Sequence, residues 1–257
     1  MFWNLRIFSQ AVTLAIILSI IVAAGITDTA EILLLVASLL SASIFTFSFN
    51  NIFDTKEDGK KEDAKSNPLA LKQIREKNAL RFSLFFAILA LAFASFLSIE
   101  RFAIILVGIF VCAIYSMPPI RLKEKPPFDI IAHTVLLGPA IVLFVTTNIT
   151  GAVFYMLVFY TLIAFLGQIW NQLSDFYVDK KTFLISIGLK KGKLIYFASC
   201  ATGLLFFIYE FSIYQKLSLL IAAAMFLDSF LNYTPGKYAR RPWIFFFAFA
   251  IVSIFGA

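Results

Sequence analysis

Long unbroken apolar stretches recur from one end of this chain to the other, and no other feature limits its fold as much. About 20 apolar residues cross the hydrocarbon core of a bilayer as a helix, and inside that core every backbone N–H and C=O must find its partner within the protein. Helices satisfy this segment by segment. A barrel would alternate apolar and polar residues, and these stretches are continuous. Of the 257 residues, 61% are hydrophobic and 14% charged, where a soluble domain would carry about 25% charged residues. The expected fold class is all-α, a polytopic membrane protein. Nine transmembrane helices are expected, at 7–25, 30–53, 79–98, 102–117, 128–147, 152–173, 193–213, 217–233 and 242–257.

Charge placement tests that count. Most Lys and Arg lie at Arg6, between Lys56 and Lys77, between Arg121 and Lys125, between Lys180 and Lys193, and between Lys237 and Arg241. With nine spans, all these segments fall on one side, and the other keeps little beyond Arg101 and Lys216. Basic loops stay in the cytoplasm. The net charge of +7 therefore reflects topology, with some attraction to anionic lipid headgroups or substrates, and calls for no nucleic acid. The first span is read as a retained helix, since removing it would spoil the charge parity. Cys112 and Cys200 lie within apolar spans and read as small hydrophobes. The "NIT" at 148–150 is read as a chance sequon. The whole chain, 1–257, is expected to form one domain with cytoplasmic loops at about 54–78, 118–127, 174–192 and 234–241.

Two of those loops open on matching polar motifs. "NNIFDTKED" contains Asn50, Asp54 and Asp58, and "NQLSDFYVD" contains Asn171, Asp175 and Asp179. Both read N-x-x-x-D-x-x-x-D, at the cytoplasmic ends of the second and sixth spans. Residues four apart share a helix face, so each motif forms a polar stripe. Both helix ends are C-termini, whose partial negative charge disfavours Asp. Bound cations answer the repulsion. Carboxylate and amide oxygens with room for water suit Mg²⁺, which commonly joins a few carboxylates to substrate phosphates. The stretch "YSMPPIRLKEKPP", residues 115–127, adds opposite charge on the same side. Pro118 and Pro119 stop the fourth helix, and Arg121 and Lys123 follow. Divalent cations with Arg and Lys hold a phosphate or diphosphate and stabilise it as a leaving group.

These three ordered stretches resemble the motifs of the UbiA superfamily of intramembrane prenyltransferases: "NNIFDTKED" on the second helix, "YSMPPIRLK" after the fourth and "DFYVD" on the sixth. The "NPL" at 67–69 resembles the stretch that follows the first motif. Asn51 stands where relatives often carry Asp, and "DKKTFLISIGLKKG" is a few residues shorter than the corresponding loop in relatives. The composition suggests a prokaryotic source. The resemblance implies a fold of nine helices around a central cavity open at the cytoplasmic side, a prenyl diphosphate donor and a hydrophobic acceptor. It implies metal ligation by Asn50, Asn51, Asp54 and Asp58 for one Mg²⁺, and by Asn171, Asp175 and Asp179 for the other. Arg121, Lys123 and Lys180 would hold the diphosphate, and Tyr115 would lie beside it. The 17% aromatic content would keep water from an allylic cation and face it with aromatic rings.

Two rivals use the same acids. A cation transporter would place its site near the midplane at broken helices, whereas these carboxylates sit at the membrane edge. A CDP-alcohol phosphotransferase would gather its acids in one contiguous stretch, which this chain lacks. His133, in the fifth span, and Asp228 and Asn232, in the eighth, are further polar candidates.

Overall fold

A computed structural model describes residues 7–58, 67–177 and 181–208, and every regular element among them is helical. In chain order these are α1 (Ile7–Ala23), α2 (Thr29–Phe53), α3 (Thr55–Asp58), α4 (Glu76–Ser95), α5 (Ile99–Ser116), α6 (Phe128–Leu137), α7 (Pro139–Val145), α8 (Gly151–Ser174), α9 (Phe183–Ile187) and α10 (Leu189–Ile208), with a 3₁₀ turn at Leu122–Glu124. Among the described residues, five segments are long and apolar enough to cross a membrane: Thr29–Phe53, Glu76–Ser95, Ile99–Ser116, Phe128–Val145 and Gly151–Leu173. They fall on the second to sixth expected spans. α1 and α10 fall on the first and seventh. The eighth and ninth lie outside the described residues.

Helices that start at the same end of the bundle are capped alike. Asp28 accepts from Ala30 N and Glu31 N ahead of α2, Ser98 from Arg101 N ahead of α5, and Thr150 from Val153 N ahead of α8. Each side chain satisfies N–H groups that a helix start leaves open. Thr150, the last residue of the sequon, thus has a structural role. At this end Arg101 Nη2 joins three helices, reaching Glu31 Oε1 at 2.7 Å and Val145 O at 2.8 Å.

α2 packs most extensively on α4, through small side chains. Ala79, Ser83, Ala87, Ala90 and Ala94 of α4 are buried at steps of three and four. Ser83 Oγ donates to Ser48 Oγ at 2.8 Å, and Ser38 Oγ donates to Ala90 O at 2.9 Å. In lipid, such small faces let helix backbones approach, and their hydroxyls bond across the contact. The larger core lies between α1, α2, α7 and α8, around Trp170, Tyr160 and Phe144. The phenylalanines divide. Phe45, Phe49 and Phe53 stack along α2, while Phe85, Phe96 and Phe110 lie on the outer surface. A groove of about 410 Å³ between α6 and α8 is lined by Thr134, Leu157, Val158, Thr161, Leu162 and Phe165.

The fifth span, expected as one helix over 128–147, is two. α6 ends at Leu137 and α7 begins at Pro139. Proline has no N–H to continue the ladder and fits a first helical position. Gly138 between them presses on α8. A Cβ there would lie 2.7 Å from Thr161 Cα and 2.8 Å from Thr134 O. Gly138→Ala is therefore expected to lose about 1–3 kcal/mol of stability, as overpacking against backbone does. The check is its thermal unfolding midpoint in detergent. Gly108→Ala is the control, because a Cβ there meets only Leu136 Cδ2 at 3.9 Å. The control is expected to be neutral or to gain about 0.5–1 kcal/mol.

Candidate functional site

The helix that carries the first motif ends on it. Asp54 is the C-cap of α2, and its N–H donates to Asn50 O at 3.1 Å. The side chains repeat the pairing, with Asn50 Nδ2 donating to Asp54 Oδ2 at 2.7 Å. One further turn forms α3, and Asp58 N donates to Asp54 O at 2.8 Å. Asn67, the first residue of the "NPL" stretch, folds back onto this turn. It is fully buried. Its Nδ2 donates to Asp58 Oδ2 at 2.9 Å and to Asn51 O at 2.8 Å, and its Oδ1 accepts from Leu69 N at 3.0 Å. Asn51 is itself 0% exposed, so it lies in the packing beneath the motif, whereas Asn50 is half-buried.

The basic loop closes over Asp54. α5 stops at Ser116, ahead of Met117 and Pro118. Lys123 Nζ donates to Asp54 Oδ1, and Arg121 Nη2 lies 3.7 Å from the same oxygen. Arg121 Nε pairs with Glu124 Oε1 at 2.5 Å. Arg121 has left-handed backbone angles, φ 41 and ψ 64. A residue with a Cβ is strained there by about 1–3 kcal/mol, and such strain persists where surrounding contacts hold it.

Consecutive residues at the end of α5 tie the two motif-bearing helices together. Ser116 Oγ donates to Asn50 Oδ1 on the α2 side at 2.8 Å. Tyr115 OH accepts from Gln168 Nε2 on α8 at 3.1 Å. Neighbouring helical residues point about 100° apart, so one "YS" pair serves both sides. On α8, Gln168, Asn171, Gln172 and the capping Asp175 stand at positions i, i+3, i+4 and i+7 and share a face. Gln168 and Gln172 are buried, while Asn171 and Asp175 are half-buried.

Asp175 is the C-cap of α8, with its N–H on Asn171 O at 3.0 Å. The two caps match closely: Asp54 has φ −96 and ψ 2, Asp175 φ −96 and ψ 9. α8 ends at Ser174, where the span expected over 152–173 gives way to the expected loop. Beyond it comes "DFYVDKK", too polar to extend the apolar face that holds α8 in the bundle. Asp179, Lys180, Asp228 and Asn232 lie outside the described residues. His133 is half-buried on α6.

Among the described residues, no three His, Cys, Asp or Glu side chains converge as a ready ion site. The donors at each helix end are all oxygens: Asp54, Asp58 and the Asn50 amide on one side, Asp175 and the Asn171 amide on the other. Hard oxygen donors, few enough to leave places for water and phosphate, are what Mg²⁺ takes, so the donor chemistry fits. Ser116, Asn67 and Gln168 escaped the sequence reading as site residues. Gln168 had a usable signal, a polar residue three before Asn171 inside an apolar span.

Comparison with known proteins follows this geometry. The UbiA prenyltransferase family model matches residues 11–254. No curated protein matches the chain. Among solved structures, a UbiA homologue from Archaeoglobus fulgidus bound to DMAPP and Mg²⁺ superposes with a TM-score of 0.70 at 20% identity, over 99% of each chain. An apo UbiA homologue from Aeropyrum pernix K1 gives a TM-score of 0.72 at 14% identity, over 96% of each. A structure described for digeranylgeranylglyceryl phosphate synthase gives 0.65 at 17% identity, over 98% of each. With the family model matched across nearly its whole length, this multi-pass membrane chain belongs to the UbiA prenyltransferase family.

Proposed function

We propose that the chain is a Mg²⁺-dependent intramembrane prenyltransferase, a single domain over residues 1–257, which moves a prenyl group from a prenyl diphosphate to a hydrophobic acceptor. The observation that carries this reading is the pairing of Lys123 and Arg121 with Asp54 at the end of α2. Cations held beside a metal-type carboxylate, tied through Tyr115 and Ser116 to a second acid-bearing helix, form a receptacle for a bound diphosphate. Family membership and the donors named for the Archaeoglobus relatives, DMAPP and GPP, support it.

Asp54, Asp58 and Asn50 would hold one Mg²⁺, and Asp175, Asn171 and Asp179 a second. When bound, the ions would supply Lewis-acid neutralisation of the diphosphate charge. Asn51 supports the first set from beneath. Lys123, Arg121 and Lys180 bind the diphosphate oxygens and stabilise charge as it develops there. The allylic C–O bond breaks with its electron pair leaving on the diphosphate. The acceptor's nucleophilic atom then bonds to the allylic carbon and sheds its proton. Tyr115, fixed by Gln168, offers an aromatic face to the cation-like species. The membrane interior around the bundle excludes water. The site faces the cytoplasm of a cell membrane, as the basic loops imply.

The test is diphosphate release from labelled geranylgeranyl diphosphate by purified protein in detergent, with and without Mg²⁺. Release that needs Mg²⁺ and fails in Asp175→Ala is expected. If wild type neither binds nor ionises a prenyl diphosphate of any length, the reading is lost, and cation transport through the same acids takes its place.

Asn67 offers a second check. Asn67→Leu keeps the branching and number of side-chain heavy atoms but leaves Asp58 Oδ2, Asn51 O and Leu69 N without this partner. Removing a residue that orients a metal ligand costs about 10–100-fold in affinity or activity. The variant is expected to lose diphosphate release by that factor and to recover part of it at high Mg²⁺.

A further inference from the structure

Asp129 is the one acid in the described membrane-spanning segments that is completely buried, at 0% exposure. It lies in the first turn of α6, just beyond the basic loop. An ionisable group in such a place is costly and calls for a reason. Its Oδ2 accepts two hydrogen bonds, from Gln172 Nε2 at 2.8 Å and from Phe183 N at 2.6 Å. Gln172 in turn accepts from Leu184 N on its Oε1 at 3.0 Å. Phe183 and Leu184 are the first two residues of α9, whose opening N–H groups need acceptors. The residue ahead of α9, Thr182, makes no side-chain cap bond. Asp129 and Gln172 therefore cap α9 from outside, from two other helices.

The place of this network matters more than its strength. Gln172 is one residue from Asn171 and three from Asp175, on the same helix. The chain leaves α8 at Asp175 and returns to the bundle at Phe183. The network fastens the return point to the turn of α8 that bears the second acidic motif. Leu184, itself 0% exposed, closes the apolar side of the contact.

We propose that Asp129, acting through Gln172, is a positioning residue for the second acidic motif: it clasps the start of α9 to the end of α8, and so holds Asp175 where metal and diphosphate oxygens are met. This deepens the prenyl-diphosphate reading and rests on it. The clasp works through acceptor geometry. An amide oxygen in the place of Oδ2 accepts the same two N–H groups, so Asp129→Asn is expected to preserve it and Asp129→Ala to open it.

Three measurements on the full-length protein in detergent test the clasp. Hydrogen exchange reads the amides of Phe183 and Leu184. Calorimetry reads binding of Mg²⁺ with inorganic diphosphate, which needs no turnover. Release from labelled geranylgeranyl diphosphate reads activity. In Asp129→Ala, exchange at these amides is expected to rise about tenfold as their bonds are lost. Affinity for Mg²⁺–diphosphate is expected to fall about 10–100-fold, as for other groups that orient metal ligands. Asp129→Asn should restore both. If Asp129→Ala cannot be purified, Gln172→Leu carries the same expectation for Mg²⁺–diphosphate affinity, with faster exchange at Leu184, whose acceptor it removes. Faster exchange with wild-type Mg²⁺–diphosphate affinity would make the clasp a brace of the fold only and overturn the proposal, as would an Asn variant no better than Ala. Absence of turnover in wild type would instead count against prenyl transfer, while the exchange and binding arms still decide the clasp.

Discussion

Asp54→Ala is expected to lose diphosphate release by about 10³-fold, the scale of removing a group that stabilises transition-state charge, and to lose stability as well. Both effects come from one carboxylate. Its Oδ1 faces Lys123 and Arg121, its Oδ2 accepts from Asn50, and its backbone closes α2. The Lys123 side chain is 14% exposed and that of Asp54 12%, so removing the acid leaves a mostly buried cation without its partner. Breaking a buried pair costs about 3–5 kcal/mol. The figure is an upper bound here, since the lysine stem is long enough to carry its ammonium towards water. The two losses separate in a cycle. Asp54→Ala with Lys123→Met should recover most of the stability and none of the activity, because the stranded charge is gone while the metal ligand is still missing. Asp54→Asn should sit between them in stability and match the alanine variant in activity. Release by Asp54→Ala within about tenfold of wild type would remove Asp54 from the chemistry, since that ratio corresponds to little more than one hydrogen bond.

The contrast between what the sequence disclosed and what it hid follows from distance along the chain. The crossings were legible because lipid demands continuous apolar runs, and α2, α4, α5 and α8 stand where those runs are. The first motif was legible because Asn50, Asp54 and Asp58 are spaced by one helical turn. The break at Gly138 was visible in principle: "GP" inside an apolar run is a stop signal, and the length of the run concealed it. The end of α8 was legible as well, because the apolar run that supports the helix stops at Leu173 and the helix at Ser174. Partnerships between distant residues left no local trace. Nothing near Asn67 says that it bonds to Asp58, nor does anything near Gln172 point to Asp129. Lys123 is the instructive case. Its charge and loop suggested a diphosphate ligand, and the structure shows it on Asp54, a carboxylate expected to bind metal.

That double identity gives Lys123→Met an unusual expected signature. In the protein without ligand, the lysine and Mg²⁺ compete for Asp54, so removing the lysine should tighten Mg²⁺ binding measured without diphosphate. With a prenyl diphosphate present, the same change removes a donor to the leaving group. Donor affinity should then fall, and release should slow by about 10²–10³-fold, the loss found when one preorganised charge-stabilising donor is deleted. The two effects have opposite signs, and a lysine that only supported the fold would weaken both. Lys123→Arg keeps the charge but spreads it over a planar fork, which suits diphosphate oxygens and fits poorly against a single carboxylate oxygen. It should therefore keep more donor affinity than methionine while still freeing Asp54 for metal. Tighter Mg²⁺ binding joined to slower release would identify Lys123 as a cation that pairs with Asp54 in the protein alone and serves the diphosphate when metal takes its place.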